Sequence, residues 1–187
     1  MESVLLAAAG ERGAAAVREI LLQYGMSDIA VVTSGTEARR RMVDRPFDLL
    51  IVSAPLADEY GDCLAADVAE GNDTQCILLV RENAEELSYQ LERSGVFVLE
   101  KPFHRAVFLN VLKMANASYH KIRRLYQEKN RLNEKLNGMK IVNRAKCLLI
   151  GQLYYTEEEA HRYIEKIAMD ERRSKVSVAL EIIEKYR

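Results

Sequence analysis

Apolar residues in the first two-thirds of the chain come in short unbroken runs. Ser3 to Ala8, Asp28 to Val32, Asp48 to Ser53, Gln75 to Val80 and Val96 to Leu99 are rich in Val, Ile and Leu. Runs of this length with no polar alternation predict strands covered on both faces. Between them the spacing becomes helical. Ala14 to Tyr24 places Val17, Ile20, Leu21 and Tyr24 on one face, and Glu37 to Val43, Ala65 to Ala69 and Ala84 to Arg93 are weaker helical stretches. A strand followed by a helix, repeated five times over residues 1 to 117, predicts an α/β fold with a doubly wound, five-stranded parallel sheet.

From His104 the pattern changes to one long helix without Gly or Pro before Gly138. A heptad reading puts Phe108, Ala115, Ile122, Lys129 and Leu136 at one seam position and Val111, Ser118, Leu125, Leu132 and Met139 at the other. Such a helix would be roughly 50 Å long, more than the sheet domain can cover. The outer seam, Ile122, Leu125, Lys129, Leu132 and Leu136, therefore calls for a partner helix, most simply a second copy in a homodimeric coiled coil. Lys129 in the seam, with Lys121, Glu128 and Lys135 beside it, would fix register.

Three shorter helices are expected after Gly138. The first, Met139 to about Leu153 with a stop as early as Gly151, carries Ile141, Val142, Ala145, Leu148, Leu149 and Leu153 on one face. The second opens with the capping box Thr156-Glu-Glu-Glu159 and has Ala160, Tyr163, Ile164, Ile167 and Ala168 as its stripe. The third starts near Ser174 and presents Val176, Ala179, Leu180 and Ile183, so three stripes can close a small helical bundle. The expected organisation is residues 1–103, a sheet domain; 104–137, a dimerisation helix; and 138–187, a three-helix unit.

Charge sharpens that division. The net charge of −1 over 187 residues hides 11 Lys+Arg against 18 Asp+Glu up to residue 117, and 16 against 10 after it. A basic last third on an acidic body suits a polyanionic partner. Lys140, Arg144, Lys146, Arg162, Arg172, Arg173 and Lys175 are its candidate phosphate contacts, with Tyr154, Tyr155 and His161 as candidates for stacking on bases. The chain has no run of eighteen apolar residues and Glu2 stands near its start, so no membrane span or secretory signal is expected and the protein is read as soluble and cytoplasmic. Cys63, Cys76 and Cys147 are odd in number and widely spaced, which suits buried structural thiols and no metal site.

Two segments carry family resemblances. Asp48-Leu-Leu-Ile-Val-Ser-Ala-Pro-Leu56 and Ser94-Gly-Val-Phe-Val-Leu-Glu-Lys-Pro-Phe103 resemble the third and fifth strands of response-regulator receiver domains, which are flavodoxin-like. The resemblance implies that Lys101 would reach a phosphorylation site. At that site, however, the phosphate-accepting aspartate is replaced by Ser53, the acidic magnesium-binding pair by Ala8 and Ala9, and the hydroxyl residue after strand four by Val80 or Arg81. With no carboxylate nucleophile and no cation clamp, the expected domain is a pseudo-receiver.

Arg144-Ala-Lys-Cys-Leu-Leu149, Thr156-Glu-Glu-Glu-Ala-His-Arg-Tyr-Ile164 and Ala168-Met-Asp-Glu-Arg-Arg-Ser174 are similar to the ANTAR domain, departing from it at Cys147, where glycine is usual and a small thiol is expected to pack similarly. That resemblance implies an RNA-binding module of bacterial transcription antiterminators, holding paired hairpins of nascent leader RNA and meeting RNA polymerase only indirectly. The input would be a protein or small-molecule signal at the receiver-like domain. No cofactor and no enzymatic activity are expected: His104, His120 and His161 are far apart in the sequence, and nucleophile triads and glycine-rich phosphate loops are missing. The alternative is a DNA-binding regulator using the last two helices as a helix-turn-helix. Against it stand the long junction from Met169 to Lys175 and the lack of Asn, Gln or Arg opening the third helix.

Overall fold

In the computed structural model, which describes residues 1–71 and 74–186, the described residues form two compact units, one within 1–124 and one within 125–186. The first unit alternates β1 (Ser3–Ala8), α1 (Glu11–Gln23), β2 (Asp28–Val32), α2 (Gly35–Asp44), β3 (Leu49–Ser53), α3 (Asp62–Gly71), β4 (Gln75–Val80), α4 (Ala84–Leu91) and β5 (Phe97–Glu100). Every strand pair is parallel and the order across the sheet is β2-β1-β3-β4-β5. This is the expected doubly wound architecture. The three central strands carry the continuous apolar runs because both of their faces are covered: Val4 to Ala7, Leu49 to Val52 and Cys76 to Val80 are fully buried.

One face of the sheet packs on α2, α3 and α4 through Ala38, Leu64, Val68 and Leu91. The other packs on α1 and on the start of α5 (Arg105–Leu153). Phe108, Leu112 and Ala115 are fully buried there, and Tyr119 nearly so. Phe108 and Ala115 therefore belong to the core of the first unit, and only the later positions of the expected seam are free for another helix. Tyr119 also fixes the helix polarly. Its hydroxyl donates to Asp48 Oδ1 at 2.6 Å, and Asp48 Oδ2 accepts the backbone amides of Glu2 at 2.6 Å and Ser3 at 3.2 Å. Arg123 in turn donates to the Tyr119 hydroxyl at 2.9 Å.

The second unit consists of the remainder of α5 with α6 (Glu157–Asp170) and α7 (Lys175–Lys185). Its core joins Ala145 and Leu149 of α5, Ala160, Ile164 and Ala168 of α6, and Val178, Ala179 and Ile182 of α7. The expected stop at Gly138 does not occur, nor does one at Gly151, and the connecting helix and first bundle helix are one continuous element. Gly138 serves a contact instead. A Cβ there would lie 3.1 Å from Val176 Cγ2, so glycine lets α7 approach the backbone of α5. An interior glycine costs a helix about 1 kcal/mol relative to alanine, which 49 helical residues absorb. The capping box is present as read: Thr156 Oγ1 accepts from Glu159 N, and the Glu159 carboxylate accepts from Thr156 N at 2.8 Å.

The expected burial of the three thiols holds for one of them. Only Cys76 is buried, with its thiol pKa pushed up to about 12 by desolvation; Cys63 and Cys147 are exposed. Apolar neighbours in the sequence misled, because helical positions 63 and 147 face outward between buried ones. Cys147 accordingly does not take the packed role expected of it.

Candidate nucleic-acid interface

At the carboxyl ends of the central strands, Ala8 lies beside Ser53 in the β1–β3 register, with Ala9 exposed just beyond. Lys101 follows β5 and donates from Nζ to Ser53 Oγ at 3.1 Å and to the Ala54 carbonyl at 2.7 Å. Desolvation, with the positive charge of Arg81, holds the Lys101 ammonium below the usual lysine range. The four residues named from the sequence thus lie at one end of the sheet. The chemistry there is an amine on a hydroxyl and a carbonyl, where a carboxylate would be needed as nucleophile. Among the described residues, no group of three or more His, Cys, Asp and Glu side chains could hold a metal ion.

In the second unit the seven candidate cations divide by partner. Lys146 is ion-paired with Glu157 at 3.1 Å, Arg162 with Glu158, and Lys175 with Glu165, which also lies 3.2 Å from His161. Lys175, more than His161, holds the Glu165 carboxyl below the usual carboxylate range. Arg173 bridges the α6–α7 junction, donating to Glu171 at 2.7 Å, Glu181 at 2.8 Å and Ser177 Oγ at 3.1 Å. Among the described residues Lys140, Arg144 and Arg172 have no ion pair, and all three are exposed. Sequence reading could not separate these groups, since the pairing carboxylates lie up to eleven positions away.

Two helix ends use side-chain-bearing residues in the left-handed region. Tyr154, after α5, has φ 57°, and Arg172, after α6, has φ 52°. Glycine is usual at such positions, and another residue costs on the order of 1 kcal/mol. Tyr154 is 91% exposed. Tyr155, by contrast, packs edge-on against Tyr163, their ring centroids 5.7 Å apart. The junction itself is short: four residues, Glu171 to Ser174, separate α6 from α7. Its length falls within the usual helix-turn-helix range, contrary to the long junction expected, so the residues opening α7 (Lys175, Val176, Ser177) are what counts against a DNA-binding role.

A groove of about 870 Å³ runs along α5 beside α6 and α7. Gly138, Met139, Val142 and Val176 line its apolar part, and Arg131, Lys135, Lys146 and Lys175 line it against one carboxylate, Glu134. Asn143 and His161 complete the lining. Asn143 is not among the residues expected from the sequence, and the helix runs on through Gly138, where a break is expected. An uninterrupted helical pattern on both sides of that glycine was the available signal.

The ANTAR domain model matches residues 130–183 of the chain. The transcriptional regulatory protein PdtaR of Mycobacterium tuberculosis is 26% identical over 167 residues, covering 89% of this chain and 82% of that protein. The aliphatic amidase regulator of Pseudomonas aeruginosa is 30% identical over 142 residues, covering 75% and 72% respectively. In fold, the signal receiver domain of an HD domain-containing protein from Pseudomonas fluorescens superposes with a TM-score of 0.58 at 23% identity, over 65% of this chain and 91% of that one. A receiver-like sheet domain, one long helix entering a three-helix unit, and these likenesses agree: the chain belongs to the ANTAR-domain, response-regulator-like regulators.

Proposed function

We propose that this chain is an RNA-binding antitermination regulator that holds paired hairpins in nascent leader RNA and shields them from a competing terminator hairpin. The observation that carries the reading is the ANTAR match over residues 130–183, on the unit that presents Lys140, Arg144 and Arg172 free of ion pairs among the described residues. Phosphate contacts from such groups position an RNA, and a few polar or aromatic groups read its unstacked loop bases. Two copies joined along Leu125, Lys129, Leu132 and Leu136, with Ile122 at the start of the seam, present two such units. The second hairpin then binds as an intramolecular event.

The receiver-like domain works without phosphorylation of an aspartate, since Ser53 stands at that position and Ala8 and Ala9 replace the magnesium-binding acids. Its input is a protein or small-molecule signal, and RNA polymerase is met only through the RNA. The protein acts in the cytoplasm and catalyses no reaction. No helix of the described residues is long and apolar enough to cross a membrane.

Fluorescence anisotropy of the full chain on a two-hairpin RNA, a single hairpin and duplex DNA, at two salt concentrations, tests the reading. Binding that prefers the double hairpin, weakens with salt and weakens further in Arg144→Ala/Arg172→Ala supports it. Preference for duplex DNA transfers the function to the helix-turn-helix reading.

A further inference from the structure

We infer that the cleft at the amino ends of β3 and β4 binds a free α-amino acid with an apolar side chain, its carboxylate on Arg123 and its ammonium against Asp48. As a binding site it stands alone; as the small-molecule input of the regulator it rests on the reading above. The cleft, of about 390 Å³, lies wholly in the first unit, at the end of the sheet opposite Ser53 and Lys101. Its volume is at the small end of clefts that enclose ligands. The polar corner is built around the Tyr119 hydroxyl, which donates to Asp48 Oδ1 at 2.6 Å and accepts from Arg123 at 2.9 Å. A carboxylate and a guanidinium thus stand on either side of one oxygen, and among the described residues no direct ion pair joins them. An α-amino acid carries its two opposite charges on a single carbon, so the groups that recognise it must stand about this close. Met42, Pro46 and the buried Phe47 give the apolar wall for its side chain.

Charge selects the class of ligand. Burial opposes the ionisation of Asp48, yet the bonds from Tyr119, Glu2 and Ser3 outweigh it, so the carboxylate is anionic at neutral pH. A simple carboxylate or phosphate on Arg123 would bring a like charge up to Asp48, and a simple amine would meet Arg123. A zwitterion satisfies both. The neighbouring Arg45, 4.4 Å from the Phe47 ring, is committed to Asp28 and leaves this balance unchanged. Hydrogen-bonding capacity agrees. Asp48 accepts three bonds, of the roughly four that a carboxylate can take. The Thr74 hydroxyl, also on the lining, donates to the Phe47 carbonyl at 2.8 Å and so can only accept from a ligand. Both suit an ammonium. Arg123 is exposed, and among the described residues only the Tyr119 hydroxyl takes a hydrogen bond from it, which leaves the rest of its N–H fork for a carboxylate. Tyr119 and Arg123 are one turn apart on α5, so an amino acid held there braces the last turn of that helix within the first unit.

The test titrates the full chain with each apolar L-amino acid up to about 10 mM, by calorimetry and by amide shifts. The tightest is then compared with the carboxylate that lacks its ammonium and the amine that lacks its carboxylate, isocaproate and isoamylamine in the case of leucine. The expected result is binding that moves the amides of Asp48, Thr74 and Arg123 and weakens at least about tenfold when either charge is removed. In Arg123→Met, whose folding circular dichroism checks, the amino acid loses a similar factor and removing its carboxylate weakens it no further. An empty panel, shifts centred elsewhere, isocaproate binding as well as leucine, or undiminished binding by Arg123→Met overturns the site and leaves the RNA-binding reading intact. Anisotropy on the two-hairpin RNA, with the amino acid saturating, should show RNA affinity changed about fivefold or more. An unchanged affinity overturns the cleft as the input, and a chain that binds no hairpin RNA in either condition overturns the regulatory reading while the calorimetry still decides the site.

Discussion

Replacing Tyr119 by Phe removes one hydroxyl and leaves the ring in its place. That hydroxyl donates to Asp48 at 2.6 Å from a residue only 6% exposed. A hydrogen bond to an ionised group contributes about 1.5–3 kcal/mol. Asp48 keeps the amides of Glu2 and Ser3, and the exposed Arg123, which loses its bond to the same hydroxyl, can turn to water, so neither is left unpaired and the expected loss falls at the lower end, about 1.5–2 kcal/mol. The loss depends on pH. Burial raises the Asp48 pKa, but the bonds from Tyr119, Glu2 and Ser3 outweigh it and hold the carboxyl below the ordinary value. A depressed carboxylate contributes stability that is present above its unfolded pKa, near 4, and is lost as pH falls through the folded one. Tyr119 itself is shifted up, by desolvation and then by the carboxylate, so it stays a donor at neutral pH. Urea unfolding followed on the amide signals of β1 and β3 should therefore show the full difference between wild type and variant at pH 7 and a shrinking one as a titration is carried below the ordinary carboxylate pKa, near 4. A difference under about 0.3 kcal/mol at pH 7, within the scatter of neutral surface changes, or one that grows as the solution is acidified, refutes the reasoning.

Leu132 and Leu136 are 48% and 55% exposed in the single chain, leaving each about 1 kcal/mol of burial to gain against a partner helix. Leu132→Glu/Leu136→Glu should weaken self-association about a thousandfold, read by sedimentation velocity; an unchanged mass at every concentration removes these residues from the dimer contact. Ser53→Asp should remain unlabelled by acetyl phosphate with magnesium, because Ala8 and Ala9 supply no ligands; a phosphorylated product on a phosphate-affinity gel would show that the site is still competent. Ile164→Ala, at a position 1% exposed in a small core, should cost about 2–5 kcal/mol and abolish RNA binding while the strand signals persist; loss of both sets of signals together would mean that the two units unfold as one.

The central strands were legible because burial on both faces writes itself into the sequence as unbroken apolar runs, and β1 and β4 fall on the same residues in chain and structure; the edge strand β2 does so too, although only its Val32 is buried and the expected cover on both faces is missing there. The helices were read less well, for identifiable reasons. A helix lying on a sheet and a coiled-coil seam share the same three-four spacing, so Phe108 and Ala115 could not be told from Leu132 and Leu136 until the sheet was seen to cover the first pair. Gly138 looked like punctuation because local propensity favours a stop, yet the packing of Val176 against it decides the matter. For the basic residues the sequence provides sign but not partners. Arg173, tied to Glu171, Glu181 and Ser177, and Arg172, exposed in the left-handed region, are adjacent in the chain and differ entirely in what they are free to touch.

The placement of the three thiols equips the native chain for distance measurement. Cys76 is buried and, with a pKa near 12, stays protonated and out of reach of alkylating probes. Cys63 and Cys147 are open, one in each compact unit. A Cys63→Ser chain would carry a single reactive sulfur, on α5 between the buried Ala145 and Leu149. A nitroxide attached there reports the separation of two copies by dipolar spectroscopy, with and without RNA, on a protein otherwise unaltered.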